Sequence, residues 1–201
     1  NLFEPYTVAT TNFQPIGDAS QDLIKGLEVF DNGVMVLCER AVYLWYMPTT
    51  DPTDWSVIKT RSPYGSRSPF GSFLYNNKLM VPSTQSGKFV GFAAISGTTI
   101  DPTASTLENS RSGSDLQSDR VEPEIFDVQE RYVKNISAMV FKNRAYITAT
   151  SGDNQTTNNR VFVYDFSISN LSKSQDAAWS LLSGVNAAQF TVYDGKIYFI
   201  D

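Results

Sequence analysis

One seven-residue pattern recurs four times along the chain and constrains its fold more than any other feature. The copies are Phe30-Asp31-Asn32-Gly33-Val34-Met35-Val36, Tyr75-Asn76-Asn77-Lys78-Leu79-Met80-Val81, Phe141-Lys142-Asn143-Arg144-Ala145-Tyr146-Ile147 and Tyr193-Asp194-Gly195-Lys196-Ile197-Tyr198-Phe199. Each begins with an aromatic residue followed by Asp-Asn, Asn-Asn, Lys-Asn or Asp-Gly. Such pairs accept the positive φ angles of a type I′ turn, so each copy predicts a tight β-hairpin. The strands leading in are Leu27 to Phe30, Phe73 to Tyr75, Ala138 to Phe141 and Phe190 to Tyr193. The leading aromatics are spaced by 45, 66 and 52 residues. Several strands per unit at that spacing predict an all-β fold, a β-propeller of four-stranded antiparallel blades.

The first and third units carry further strands at matching steps. Ala41 to Met47 and Arg160 to Phe166 read as third strands, while Trp55-Ser56-Val57-Ile58 and Trp179-Ser180-Leu181-Leu182 read as fourth strands. A Trp in an outer strand is expected to pack between neighbouring blades. The second unit shows strands near Ser72 to Tyr75, Lys78 to Pro82 and Lys88 to Ile95, with its outer strand undefined. Thr98 to Arg131 supplies most of its extra length, and the polar Ser105 to Asp119 run reads as a long loop on one face. Val121 to Tyr132 fits an outer strand or a short helix.

The resulting division is a lead-in segment at 1–25, blades at 26–60, 71–131 and 136–184, and the start of another at 187–201. The chain starts at Asn1 and stops at Asp201 within the second strand of a hairpin. That predicts an incomplete propeller, with the remainder beyond residue 201.

Between the first two units lies a tandem, Arg61-Ser62-Pro63-Tyr64-Gly65-Ser66 followed by Arg67-Ser68-Pro69-Phe70-Gly71-Ser72. Its Pro and Gly residues predict an ordered connection rather than a strand. The exposed positions of such a fold are its loops, where contacts with partners concentrate. Arg61, Tyr64, Arg67 and Phe70 are therefore candidate interaction residues, with Asp115 and Asp119 in the polar insertion and Asp153 and Asn154 in the Ser151 to Asn159 loop.

Chemistry is constrained by absence. The 201 residues contain no His, which removes Ser-His-Asp and Cys-His nucleophile systems and His-based metal sites. The single Cys, Cys38, lies in an apolar strand and reads as a buried thiol. The Ser151 to Asn159 loop lacks the alternating acids of a calcium loop. On the predicted inner strands, which begin near Leu27, Ser72, Ser137 and Gln189, the only acid is Glu28. A glycosidase-type pair of carboxylates is not evident. No catalytic, cofactor or metal residue is assigned. Thr50-Asp51-Pro52-Thr53 and Ile100-Asp101-Pro102-Thr103 echo each other and read as Asp-Pro turn openings. The net charge of −5 argues against a surface built to grip a phosphate backbone, and no apolar run is long enough to span a bilayer.

The succession Gly26-Leu27-Glu28-Val29, Tyr43-Leu44-Trp45, Pro63-Tyr64-Gly65, Ser72-Phe73 and Tyr75 to Val81, with Arg160 to Phe166 leading to Trp179-Ser180, resembles β-propeller hub or nozzle proteins of tailed-bacteriophage tails. The packaged-DNA stabilisation and tail-tubular types are the nearest in character, over roughly residues 26–201. The resemblance implies a non-enzymatic structural protein of the virion tail. It further implies a homo-oligomeric ring that contacts portal, adaptor or other tail components, whose lumen passes DNA without specific binding. No portal-binding segment is identifiable. A kelch-like or WD-like interaction scaffold is the alternative, and a carboxylate glycosidase propeller the third reading.

Overall fold

The computed structural model describes residues 15–16, 22–30, 33–60, 62, 64–75, 78–86, 88–98, 101–107, 122–167 and 178–201. These form three four-stranded antiparallel sheets and a two-stranded hairpin, each built from strands consecutive in the chain. The first sheet comprises β1 (Ile24–Phe30), β2 (Gly33–Cys38), β3 (Val42–Tyr46) and β4 (Ser56–Lys59). The second comprises β5 (Phe73–Tyr75), β6 (Lys78–Gln85), β7 (Lys88–Thr98) and β8 (Asp101–Leu107), and the third β9 (Ser137–Phe141), β10 (Arg144–Ala149), β11 (Arg160–Asp165) and β12 (Trp179–Ser183). The hairpin is β13 (Gln189–Tyr193) with β14 (Lys196–Ile200).

All four recurrent segments are hairpins with two-residue turns, as the pairs Phe30↔Gly33, Tyr75↔Lys78, Arg144↔Phe141 and Tyr193↔Lys196 require. At two of them the backbone is described, and both central residues have positive φ: 47° and 59° at Lys142 and Asn143, 47° and 66° at Asp194 and Gly195. This is the type I′ geometry, whose twist matches that of the flanking strands.

The central strands are buried in near-continuous runs, and in the second sheet successive side chains enter two different cores. Leu79 and Val81 on β6, with Ala93 and Ile95 on β7, pack against Phe30, Met35, Leu37, Val42 and Leu44 of the first sheet. Their neighbours Met80, Phe92 and Ala94 point the other way, onto Ala145, Ile147, Phe162 and Tyr164 of the third. The second sheet is thus apolar on both faces. Aromatic edges fill the second interface: Phe92 meets Phe162 at 5.8 Å and stacks on Trp179 at 5.6 Å, while Tyr164 meets Trp179 at 4.8 Å. The far face of the third sheet reaches the hairpin through Tyr146 and Phe190, 6.0 Å apart.

The two recurrent Trp-Ser segments have different fates. Trp179 packs between sheets as expected, whereas Trp55 stands edge-on to Trp45 at 5.7 Å and donates from Nε1 to the Thr49 carbonyl at 2.8 Å. The outer strand of the second sheet, undefined from the sequence, is β8, whose last three residues enter the run read as a loop from Ser105 to Asp119; residues 108–119 of that run are outside the described residues. The echo of Asp-Pro turns also divides. Asp51 opens a 3-10 turn, its carboxylate accepting from the Thr53 N–H and hydroxyl at 2.9 and 2.7 Å, while Asp101-Pro102 begins β8. The described residues leading into β9 hold α1 at Glu122–Phe126 and a 3-10 turn at Glu130–Asn135.

Phe92 is 1% exposed and Val29 is 72% exposed, so truncation should separate them. Phe92→Ala is expected to lower stability by about 3–5 kcal/mol, and Val29→Ala by no more than about 0.5 kcal/mol, in urea unfolding of this chain. Equal losses would refute the packing described.

Candidate functional site: a cleft between the first strands

The first strands of the sheets lie side by side in chain order. β5 neighbours β1 and β9, and β9 neighbours β13. At their side lies a cleft of about 610 Å³ to which β1 contributes Lys25 to Glu28, the connection just before β5 Phe70 and Ser72, β9 Ser137 and Ala138, and β13 Gln189 and Phe190. A second cavity, of about 370 Å³, shares Phe70, Ser137 and Gln189 and continues past Asn135 and Thr156 to Ile200.

The tandem connection positions one wall of the cleft. Gly65 exchanges hydrogen bonds with Thr84 of β6, N to O at 3.0 and 2.9 Å, and the Ser66 N–H donates to the Cys38 carbonyl at 2.8 Å. The Ser68 hydroxyl donates to the Ile136 carbonyl at 2.6 Å, and the Ala138 N–H donates to the Phe70 carbonyl at 2.8 Å. One connection is therefore bonded to all three sheets or their immediate flanks. Glycine is required for that passage: a Cβ on Gly65 would overlap the Glu39 backbone, and one on Gly71 would stand 2.5 Å from Pro82 Cγ. Pro82 fits within β6 because β5 pairs only as far as Met80, so no ladder on that side needs an N–H at residue 82.

The candidate interaction residues separate under this geometry. Tyr64 is 3% exposed and packs with Leu37 and Val81, which removes it from any contact surface. Arg67 is engaged within the chain: its Nε lies 3.0 Å from Glu39 Oε1 and its Nη1 3.1 Å from Glu130 Oε1. Glu130 also accepts from the Phe89 N–H at 2.8 Å, so the guanidinium joins the turn after β2 to the 3-10 turn and β7. Phe70 is 61% exposed at the cleft, although its backbone is held by the bridge to Ser137. Asp153 is exposed, and Asn154 has φ 63°, at the tip of a loop whose base is fixed by Asp127 accepting from the Ser151 hydroxyl at 2.7 Å. Arg61, Asp115 and Asp119 lie outside the described residues.

Glu28 is the one acid in the lining of the cleft among the described residues. Partial burial raises its pKa above the usual 4.5, against the opposing effect of the Ser72 hydroxyl, which donates to Oε1 at 3.0 Å. A paired-carboxylate hydrolase needs a second acid beside it. No group of three or more Cys, Asp and Glu residues comes together among the described residues. Cys38 is fully buried, and its thiol pKa is pushed up to about 11 by burial and then by the Asp22 charge. The Pro and Gly residues of the tandem signalled an ordered connection in the sequence, but nothing local signalled that Arg67 would meet carboxylates from two distant segments. No protein-family model matches the chain, and no curated protein matches it.

Three outcomes follow from this geometry. Arg67→Met should lower stability by about 1–2 kcal/mol in urea unfolding, and Arg67→Lys should recover less than half of it, because an ammonium lacks the planar fork that reaches two carboxylates. The raised pKa of Glu28 gives a stabilising contribution fully present below the unfolded pKa and lost as pH rises through the folded value. Glu28→Gln should therefore be less stable than the parent relative to its own value at high pH when both are compared at low pH, and urea midpoints across the acid range measure that difference. The Cys38 thiol should react with a disulfide reagent at mildly alkaline pH only after denaturant is added.

Proposed function

We propose that the three sheets and the β13–β14 hairpin are successive blades of a β-propeller, serving as a non-enzymatic structural protein of a tailed-phage tail, of the hub or nozzle kind. The observation that carries the propeller reading is the convergence of β1, β5 and β9, with β13, on one cleft, each sheet running outward from it in chain order. Support also comes from the ends of the stack. On the outer face of the first sheet Leu27 and Val29 are 61% and 72% exposed, and on the face of the hairpin turned away from Phe190, Tyr198 and Ile200 are 45% and 62% exposed. Faces of this kind are covered by another sheet wherever they occur inside the chain.

The virion reading rests on the resemblance over residues 26–201 and on a net charge of −5, which suits a lumen that lets DNA slide without holding it. Its partners would be other tail components and further copies of itself. No helix among the described residues is long and apolar enough to cross a membrane. An interaction scaffold of kelch-like or WD-like type is the second reading, favoured by the exposed Phe70, whose backbone is bridged to Ser137.

The native mass of the full-length gene product, measured over a range of concentrations, tests the ring. A discrete assembly of about six or twelve subunits is expected, since closed rings repeat one heterologous interface at a fixed rotation. A strict monomer at every concentration would exclude the ring and leave the scaffold.

A further inference from the structure

We propose that the cleft between the first strands docks a basic side chain, Lys or Arg next to an apolar residue, from a partner polypeptide, with Glu28 as the counter-ion and Phe70 as the apolar wall. The inference depends on how the four first strands are arranged and not on the virion assignment.

Charge complementarity selects the ligand. Glu28 Oε1 accepts from Ser72, and no cation among the described residues forms an ion pair with its carboxylate. Lys25, the other charged group in the lining, has its ammonium 3.7 Å from Glu39 Oε2. The Glu28 carboxylate is thus partly stripped of water without a cation in return, and a bound ammonium or guanidinium would supply one.

The walls select the apolar neighbour. Phe70, 61% exposed, lines the cleft, and Leu27, whose strand neighbour Glu28 faces the other way, adds a second exposed apolar group to the lining. The Phe70 backbone is held at the cleft by the Ala138 N–H, which donates to its carbonyl at 2.8 Å, and its ring is exposed there. An exposed ring offers its face to a cation or an alkyl chain. Gln189 adds an amide able to bond a peptide backbone. A volume of about 610 Å³ accommodates a long side chain and its flanking backbone.

The test titrates the 201-residue chain, isotope-labelled for amide NMR, with a capped pentapeptide Ala-Leu-Arg-Leu-Ala, its Arg-to-Gln counterpart, and free agmatine. Saturable binding of the Arg peptide is expected, at least about tenfold tighter than the Gln peptide, with shifts at Leu27, Ala138 and Gln189. Glu28→Gln should weaken the Arg peptide about tenfold and leave the Gln peptide unchanged, while Phe70→Ala, a surface change, should weaken both about threefold or more. The Phe70 variant keeps the proposal testable should the Glu28 variant not fold. Agmatine binding as tightly as the Arg peptide would overturn a polypeptide partner. Absence of saturable binding, or equal binding of the two peptides, would overturn the site.

Discussion

The backbone of the Arg-Ser-Pro tandem holds the sheets together. Sheets that stack through apolar faces alone can slide, because dispersion and hydrophobic burial carry little direction. Hydrogen bonds from Gly65 to Thr84, Ser66 to Cys38, Ser68 to Ile136 and Ala138 to Phe70 fix where each sheet sits along this connection. Arg67 adds a charged tie at its midpoint. Small side chains are what permit it. Ser62, Ser66, Ser68 and Ser72 are buried, and their hydroxyls or amides find partners in the surrounding loops and strands. A connection of larger polar residues would leave buried donors unmet at a cost of about 1–3 kcal/mol each.

That connection also explains how two nearly identical hexapeptides reach opposite environments. In the first copy the aromatic ring of Tyr64 enters the interface between the first and second sheets. In the second copy the connection has already passed that interface, and the equivalent Phe70 emerges at the cleft beside β9. The repeat encodes a backbone path with a close approach at each glycine. It does not encode a burial.

Much of the strand framework was legible because its signals are local. Turn pairs such as Lys142-Asn143 and Asp194-Gly195 specify a positive-φ geometry that few other residues accept, and the strands on either side follow from it. The placement of Glu28 on the first strand of a sheet followed in the same way. The second sheet's outer strand was not legible: Asp101-Pro102-Thr103-Ala104-Ser105-Thr106-Leu107 has neither strict alternation nor a β-branched run, and its pairing with Ile95 and Ser96 overrides weak propensity. Arg67 was visible as a charge in a connection, yet its partners Glu39 and Glu130 come from segments on either side in the chain, 28 and 63 residues away. Only tertiary structure brings them together.

The order of the sheets sets how the molecule would come apart. Among the described residues the second and third sheets each have a neighbour on both faces, while the first sheet and the β13–β14 hairpin each leave one side bare. Local opening costs least where fewest apolar contacts are broken. Amide protons of β13 and β14 would then exchange with solvent through brief fraying of the hairpin alone, whereas those of β6 and β7 would wait for the collapse of the whole stack. The hairpin, with the fewest buried side chains, is therefore where an added strand would meet the least resistance to rearrangement.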